Sequence, residues 1–338
     1  MTETIATVNM LKVKVNEAKK QILEALRDYG DYLSGETLSK RLGVSRVSIW
    51  KHICSLRENG YVIDASARGY RFISSPDLML PYELPGLEER IHYFSEIGST
   101  MDAARELAKK GAKEGTIVIA EVQAQGRGRL SREWLSPKGG IYFTIILRPR
   151  IGPAHAPRIN LMISIAVAIT IKKIFRLNAE LKWPNDVLIK GRKVCGILAE
   201  MNAEMDAVNF VNVGIGINAN TFIPQFEKTA TSLKDALGRK ISRKKLLTIL
   251  LGEIEQWQPR LMKDDLLEEW RKLSATLNRD VRIVAPGEVI VGRAIDIDTT
   301  GALIVKQSNG SLKKAMAGDC IHLREKAPET DTEAVVLQ

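Results

Sequence analysis

Two stretches of the sequence combine cationic side chains with residues that leave room for a ligand. The first, residues 123–137, carries arginines at 127, 129 and 132 beside Gly126 and Gly128. Glycines let backbone N–H groups approach a ligand closely, and guanidinium groups suit phosphate or carboxylate oxygens. Trp134 supplies one large apolar side chain that would close over a bound molecule. This loop therefore predicts an anion-binding site between two strands.

The second stretch is Lys182-Trp183-Pro184-Asn185-Asp186, followed by Lys193. The pattern predicts strands over 181–189 and 194–200, joined by a tight hairpin, with Lys182 and Lys193 on neighbouring strands. Lone lysines on strands are usually solvated edge residues. Two of them beside a Pro-Asn-Asp sequence, which is awkward within a strand, favour a functional site instead.

These motifs resemble those of biotin protein ligases. The Gly-Arg-Gly-Arg loop is similar to that family's biotin-binding loop, and Lys182–Asp186 with Lys193-x-x-Gly-Ile-Leu-x-Glu200 is similar to a second signature. Gly214-Ile-Gly-Ile-Asn218 resembles the segment on the adenylate side. The resemblance extends over nearly the whole chain. It is to the bifunctional members of the family, in which the biotin ligase is also the biotin operon repressor. It implies ATP and biotin as substrates, with Mg²⁺ held largely by phosphates.

The resemblance also implies roles for individual residues. Lys193 and Arg129 are the expected catalytic cations, because activation brings a carboxylate towards the α-phosphate of ATP. The expected biotin-binding residues are Ser99, Thr100, Met101, Gln123, Arg127, Gly128, Arg129 and Lys193. The expected nucleotide-binding residues are Trp183, Asn185, Asp186 and Asn218. Met101 stands where the family usually has asparagine, so the resemblance does not fix the contact that this residue makes with the biotin ring. No protein metal site is predicted.

The elements that must position these residues predict an α+β chain with three domains. Helix, Gly43 turn and helix, followed by a hairpin, are typical of a winged helix-turn-helix. Ser99-Thr100 is predicted to cap a helix from Met101 to Lys110 at the start of a mixed-sheet ligase domain. The expected boundaries are 16–74 for the winged helix, 75–90 for a polar Pro-rich linker, 91–274 for the ligase domain and 275–326 for a C-terminal SH3-like β-barrel.

The third helix of the N-terminal domain carries polar side chains suited to DNA. From the major groove, such residues can contact phosphates and base edges, and an arginine of the wing can contact the DNA as well. The predicted DNA-binding residues are Ser45, Arg46, Ser48, Trp50, Lys51, His52 and Arg68. The alternative is a winged helix that binds a protein.

Composition limits the partners and the compartment. The chain has 338 residues and a net charge of +10, which favours anionic partners. Three scattered cysteines and four scattered histidines predict neither a disulfide framework nor a metal cluster. No signal peptide or membrane span is recognisable, so a cytoplasmic protein is expected. The expected partners are a biotin carboxyl carrier domain with an acceptor lysine, operator DNA, and a second copy when adenylate is bound.

Two other functions stay open. A lipoyl or octanoyl ligase would use the same kind of core, although the Gly-Arg-Gly-Arg loop and Lys-Trp-Pro-Asn-Asp favour biotin. A regulator that senses biotin without ligating it is the second, and Lys182, Lys193 and Arg129 weigh against it.

Overall fold

A computed structural model describes residues 17–224, 226–285 and 287–323. The chain forms two compact units. The first runs to Arg148 and includes 210–222 and 232–249; the second takes 149–209, 223–231 and the chain from 250 on. Asn16 and residues 324–326, which were placed in predicted domains, lie outside the described residues.

The N-terminal elements form the predicted winged helix. Ser34 and Ser45 cap the second and third helices by accepting hydrogen bonds from Thr37 N (3.0 Å) and Ser48 N (3.1 Å). Gly43 ends the second helix in the left-handed conformation. The elements are α1 (Glu17–Tyr29), α2 (Gly35–Leu42), α3 (Arg46–Glu58), β1 (Val62–Ser66) and β2 (Gly69–Ser74).

The wing is tied to the helices at Gly69. A Cβ at this position would lie 2.2 Å from the carbonyl oxygen of Leu33, and its φ of +128° is one that side chains rarely allow. Leu33 and Tyr70 exchange backbone hydrogen bonds of 2.9 and 3.0 Å. Only glycine fits where the hairpin crosses this backbone.

The segment predicted as a polar linker is partly buried. Met79, Leu80, Tyr82 and Leu84 are each at most 5% exposed. The Glu83 carboxylate accepts hydrogen bonds from Arg27 (2.6 Å) and Tyr61 (2.5 Å) of the winged helix and from Lys244 (2.7 Å). The prolines suggested an exposed spacer, but the apolar residues between them pack as core. We call residues 75–90 the connector.

The remaining helices and strands up to residue 273 form the central part of the chain, which was predicted as the ligase domain. They are β3 (Ile91–Ile97), α4 (Thr100–Lys109), β4 (Ile117–Gln123), β5 (Ile141–Leu147), α5 (Pro157–Phe175), β6 (Glu180–Lys182), β7 (Asp186–Ile189), β8 (Arg192–Ala203), β9 (Val208–Ile217), α6 (Leu233–Leu237), α7 (Arg243–Trp257) and α8 (Asp264–Leu273).

The first unit contains the strand order β3-β4-β5-β9, in which only β3 and β4 are parallel. Helix α4 crosses from β3 to β4 and covers one face. Its alanines Ala104 and Ala108 pack with Val118, Ile146 and Phe210. The N-terminus of α4 lies over Thr144 on β5, whose hydroxyl donates to Thr100. This part of the face is polar, whereas Ile146, two residues further along β5, belongs to the apolar core.

The second unit contains the strand order β8-β7-β6, with antiparallel pairing. The prediction of one strand over 181–189 was wrong. The chain turns back at Trp183-Pro184-Asn185, with a cis Trp183–Pro184 bond, so that Lys182 pairs with Asp186. β7 therefore lies between Lys182 on β6 and Lys193 on β8, and the two lysines are not on neighbouring strands.

The C-terminal residues form a five-stranded antiparallel sheet. It occupies the region predicted as an SH3-like β-barrel. Its strands are β10 (Asp280–Ala285), β11 (Glu288–Ile297), β12 (Leu303–Lys306), β13 (Leu312–Ala315) and β14 (Asp319–His322), in the order β13-β12-β11-β10-β14. Within the described residues, no helix has the length and apolar character needed to cross a membrane.

Candidate active site

Ser99 stands at the N-cap position of α4 and is buried, at 3% exposed. The prediction that its side chain caps the helix was wrong, because the structure gives it no capping hydrogen bond. Its hydroxyl has no hydrogen-bond partner among the described residues. A buried hydroxyl at this helix N-terminus is therefore available to form a hydrogen bond with a ligand.

A chain of hydrogen bonds links α4 to residues 123–137, which we call the Gly-Arg loop. The Oε1 of Gln123 accepts from both the backbone N and the hydroxyl of Thr100, at 2.9 Å each. Its Nε2 donates to Ser136 Oγ (2.9 Å), and Thr144 donates to the Thr100 hydroxyl (2.9 Å). These neutral polar groups fix one another and suit an uncharged polar ligand such as a cyclic urea.

Of the other predicted biotin-binding residues, Arg127 forms an ion pair within the protein and Met101 is buried. Arg127 lies 2.8 Å from Asp102 on α4, an ion pair that ties the loop to the helix. Met101 is 3% exposed, and its thioether is a poor replacement for the amide usual at that position.

The Gly-Arg loop folds closely on itself. Trp134 N donates to Gly126 O (2.9 Å), and a Cβ on Gly126 would lie 2.3 Å from Trp134 O. The Trp134 indole lies over Gly216, where a Cβ would come within 2.5 Å of the ring. Gly126 and Gly216 are therefore required by this packing. Gly128 N donates to Arg132 O (2.7 Å) around the half-buried Arg129.

The second unit holds Lys193 in a fixed position. Its ammonium lies 2.7 Å from Asp186 Oδ1, with 32% of the lysine side chain exposed. The backbone of Lys193 donates to Thr229 O (2.8 Å) and accepts from Thr231 N (2.9 Å). Asn185 Nδ2 donates to Ile197 O (2.8 Å), which braces the turn before Asp186. The sequence did not reveal the 229–231 segment.

Trp183 is 2% exposed and its polar atoms are used within the protein. Its backbone N donates to Thr276 Oγ1 (3.0 Å) and its indole N–H to Gly301 O (3.1 Å). Trp183 therefore fixes the turn. Thr276 and Gly301 are 93 and 118 residues away in sequence, and no local signal identifies them.

Asn218 ends the last strand of the first unit and is 8% exposed. Its carbonyl oxygen accepts from Leu233 N (2.8 Å) at the start of α6. This contact fixes the segment that follows β9. The sequence analysis predicted that this segment binds the nucleotide.

His322 was missed by the sequence analysis. Its Nε2 lies 3.0 Å from Thr276 Oγ1, and burial, together with Lys182 and Arg279, lowers the pKa of its imidazole from 6.5 to about 4. Because the unfolded chain binds this proton more readily, folding stability should fall as the pH drops from 6.5 towards 4. Thermal melts across that range should show a smaller loss in His322→Gln than in the unchanged protein. An equal loss in both would contradict this, and His155→Gln is the control.

Arg243 is a second residue that the sequence did not identify. It is 3% exposed, donates to Asp77 in the connector (2.9 Å) and to Gly140 O (2.8 Å), and lies 2.7 Å from Glu121 on β4. Glu121 in turn accepts from Met79 N (3.1 Å). One buried guanidinium thus joins the connector, β4 and the backbone just before β5.

The exposed face of α3 carries Arg46, Trp50 and Lys51, and also Val47, which was not predicted. A groove between this face and the wing is lined by Arg46, Val47 and Trp50, by residues 34–36, and by residues 65–70 of the wing, which include Arg68. Ser45 and Ser48 form the helix cap. His52 is half-buried, and burial and Lys19 lower its pKa. His52 is therefore not on the exposed face.

Among the described residues, no group of three or more His, Cys, Asp or Glu side chains could hold a metal ion.

Residues 93–218 match the biotin/lipoate A/B protein ligase family, 19–71 an HTH domain, and 276–323 the biotin protein ligase C-terminal domain. The bifunctional ligase/repressor BirA of Bacillus subtilis is 35% identical over 89% of this chain and 97% of its own length. The protein of that name from Escherichia coli is 32% identical over 88% and 95%. A biotin protein ligase from Aquifex aeolicus, solved with biotin and ATP, has a TM-score of 0.60 and 28% identity over 69% of this chain and 98% of that one.

Proposed function

This chain belongs to the biotin protein ligase family, and we propose that it activates biotin with ATP and transfers it to a lysine of a carrier domain. The observation that carries the proposal is the hydrogen-bonded group of Thr100, Gln123 and Ser136 beside the spare Ser99 hydroxyl. Biotin is recognised by its ureido ring, which presents two N–H donors and one carbonyl acceptor. Neutral groups that are already fixed bind such a ring at little ordering cost.

In the first step a biotin carboxylate oxygen attacks the α-phosphorus of ATP, and pyrophosphate leaves. Both reactants are anions, so fixed cations lower the barrier. Lys193, oriented by Asp186 at 2.7 Å, is the residue that we assign to the developing charge. Arg129 and Arg127 supply further positive charge from the loop. Mg²⁺, when bound, would neutralise the phosphates that hold it.

In the second step the carrier lysine amine attacks the acyl carbon of biotinoyl-5′-AMP. A C–N bond forms, the bond to the phosphate oxygen breaks, AMP leaves, and the amine loses a proton. The adenylate is a mixed anhydride that water would hydrolyse, so its enclosure matters. The Trp134 indole over Gly216 is suited to exclude water there.

Exchange of labelled pyrophosphate into ATP tests the first step and separates the alternatives. We expect exchange that depends on biotin and is far weaker with lipoate or octanoate. Exchange driven by lipoate or octanoate instead would favour the lipoyl or octanoyl ligase. Tight biotin binding without any exchange would favour the sensing regulator.

We further propose that the winged helix binds operator DNA and represses transcription. Arg46, Trp50 and Lys51 are exposed on α3, and Arg68 is exposed on the wing. The domain boundaries, a homodimer of the adenylate-bound protein and the cytoplasmic location stay predictions.

Arg46→Ala should weaken binding to a duplex of the chain's own promoter and reduce its salt dependence. One phosphate contact fewer lowers the slope of log K against log[salt] by about 1. Fluorescence anisotropy over a salt series measures it, with Lys40→Ala as the control because Lys40 pairs with Glu36. An unchanged slope would exclude Arg46 from phosphate contact, and no binding at any salt would give the winged helix another role.

A further inference from the structure

Asn212 lies in the middle of β9 and has a side-chain oxygen that nothing in the described protein satisfies. The residue is 1% exposed, and its Oδ1 has no hydrogen-bond partner among the described residues. A buried polar atom left in this way destabilises the folded protein, because it loses its hydrogen bonds to water and gains none in return. Such atoms are uncommon in native proteins and need an explanation.

The register of β5 and β9 places Asn212 near Thr144, which is hydrogen-bonded to Thr100 at the start of α4. Ile146 pairs with Asn212, Thr144 with Gly214 and Tyr142 with Gly216. Residues that pair directly, and those two apart on a strand, share one face of the sheet. Asn212 therefore shares its face with Thr144, whose hydroxyl donates to Thr100 at 2.9 Å.

On this face, β9 changes from apolar core residues to glycines on the two sides of Asn212. On one side of Asn212, Phe210 and Ile146 pack with the alanines of α4. On the other side β9 has glycines at 214 and 216, and the Trp134 indole covers Gly216. On β9, the Asn212 amide therefore stands between Phe210 of the apolar core and the glycines at 214 and 216, which have no side chains.

The number and type of these polar atoms match one ligand group. Ser99 Oγ and Asn212 Oδ1 are both buried and both lack a partner among the described residues. A ureido ring has two N–H donors, and each needs an acceptor when it is buried. Gln123 Oε1 already accepts two hydrogen bonds from Thr100. Ser99 Oγ and Asn212 Oδ1 are thus two buried acceptors of the first unit that have no hydrogen-bond partner among the described residues.

We propose that Asn212 binds biotin by accepting a hydrogen bond from one ureido N–H through Oδ1. This inference rests on the proposed function. It adds a specificity-determining residue, because lipoate and octanoate have no N–H to offer and would leave the buried acceptor unsatisfied. Discrimination of this kind is strong when a site is built for a hydrogen bond that the wrong substrate lacks.

The test compares Asn212→Leu with the unchanged protein in calorimetric binding of biotin and of its two analogues methylated at one ureido nitrogen. Leucine has the same branched framework of heavy atoms, is larger, and has no acceptor. We expect biotin affinity to fall by about 10- to 100-fold. For the analogue that blocks the partner N–H, the variant should lose little, so the preference for biotin over that analogue should shrink by the same factor.

The stability of the ligand-free variant separates a binding role from a structural one. Removing an unsatisfied buried oxygen should leave the melting temperature unchanged or higher. Thr170→Val is the matched control, since the Thr170 hydroxyl is also buried and lacks a described partner; it should not alter biotin affinity.

Three outcomes would overturn the proposal: unchanged biotin affinity in Asn212→Leu, an equal loss for biotin and both methylated analogues, or a ligand-free variant that is less stable than the control. Failure of the unchanged protein to bind biotin would instead overturn the proposed function.

Discussion

Lys193→Ala is expected to slow biotin-dependent pyrophosphate exchange by about 100- to 1,000-fold, the usual effect of removing one preorganised charge-stabilising group. The ammonium is held 2.7 Å from Asp186, so its position is set before substrates bind. Biotin affinity should change much less, because the ureido ring is bound by other residues.

The control is Lys190→Ala, an exposed lysine on the hairpin just before β8. Lys193→Arg should recover part of the rate, since the charge is kept while its geometry differs. Exchange within a fewfold of normal in Lys193→Ala would remove Lys193 from the chemistry.

Arg243→Met is expected to destabilise the protein by about 3–5 kcal/mol, the usual cost of removing one partner from a buried ion pair. Glu121 is 4% exposed and would keep its carboxylate in the interior without the guanidinium at 2.7 Å. The connector would lose its bonds from Arg243 to Asp77, and Gly140 O its donor.

Urea unfolding of Arg243→Met measures this loss, and Lys245→Met, an exposed neighbour on α7, is the control. Arg243→Lys should fall between the two, because lysine keeps the charge but cannot reach three partners with one planar group. A stability loss below about 1 kcal/mol, the range of an exposed ion pair, would mean that Arg243 does not hold these elements together.

Local sequence signals predicted the helix-turn-helix well. Ser34, Ser45 and Ser232 each precede a helix and accept a hydrogen bond from its first turn. Such caps depend on residues only a few positions away, so a sequence displays them directly.

Features that depend on distant partners were not predictable in this way. The 75–90 connector has prolines typical of a spacer, yet Tyr82 and Met79 are buried, and Met79 N donates to Glu121, 42 residues away. Arg243 meets Asp77 across 166 residues. The turn at Trp183–Asn185 was predicted as strand because apolar residues flank it on both sides. Asn212 is one asparagine among apolar residues, and only the register of β5 and β9 places it beside Thr144.

Transfer of labelled biotin to an apo carrier domain tests the central claim most directly. The purified full chain, ATP, Mg²⁺ and labelled biotin are incubated with the carrier, and incorporation is followed by mass spectrometry. We predict one biotin on the acceptor lysine of each carrier domain, with none when ATP is omitted or the lysine is replaced. A folded protein that binds biotin and ATP but leaves the carrier unmodified would contradict the assignment as a biotin protein ligase.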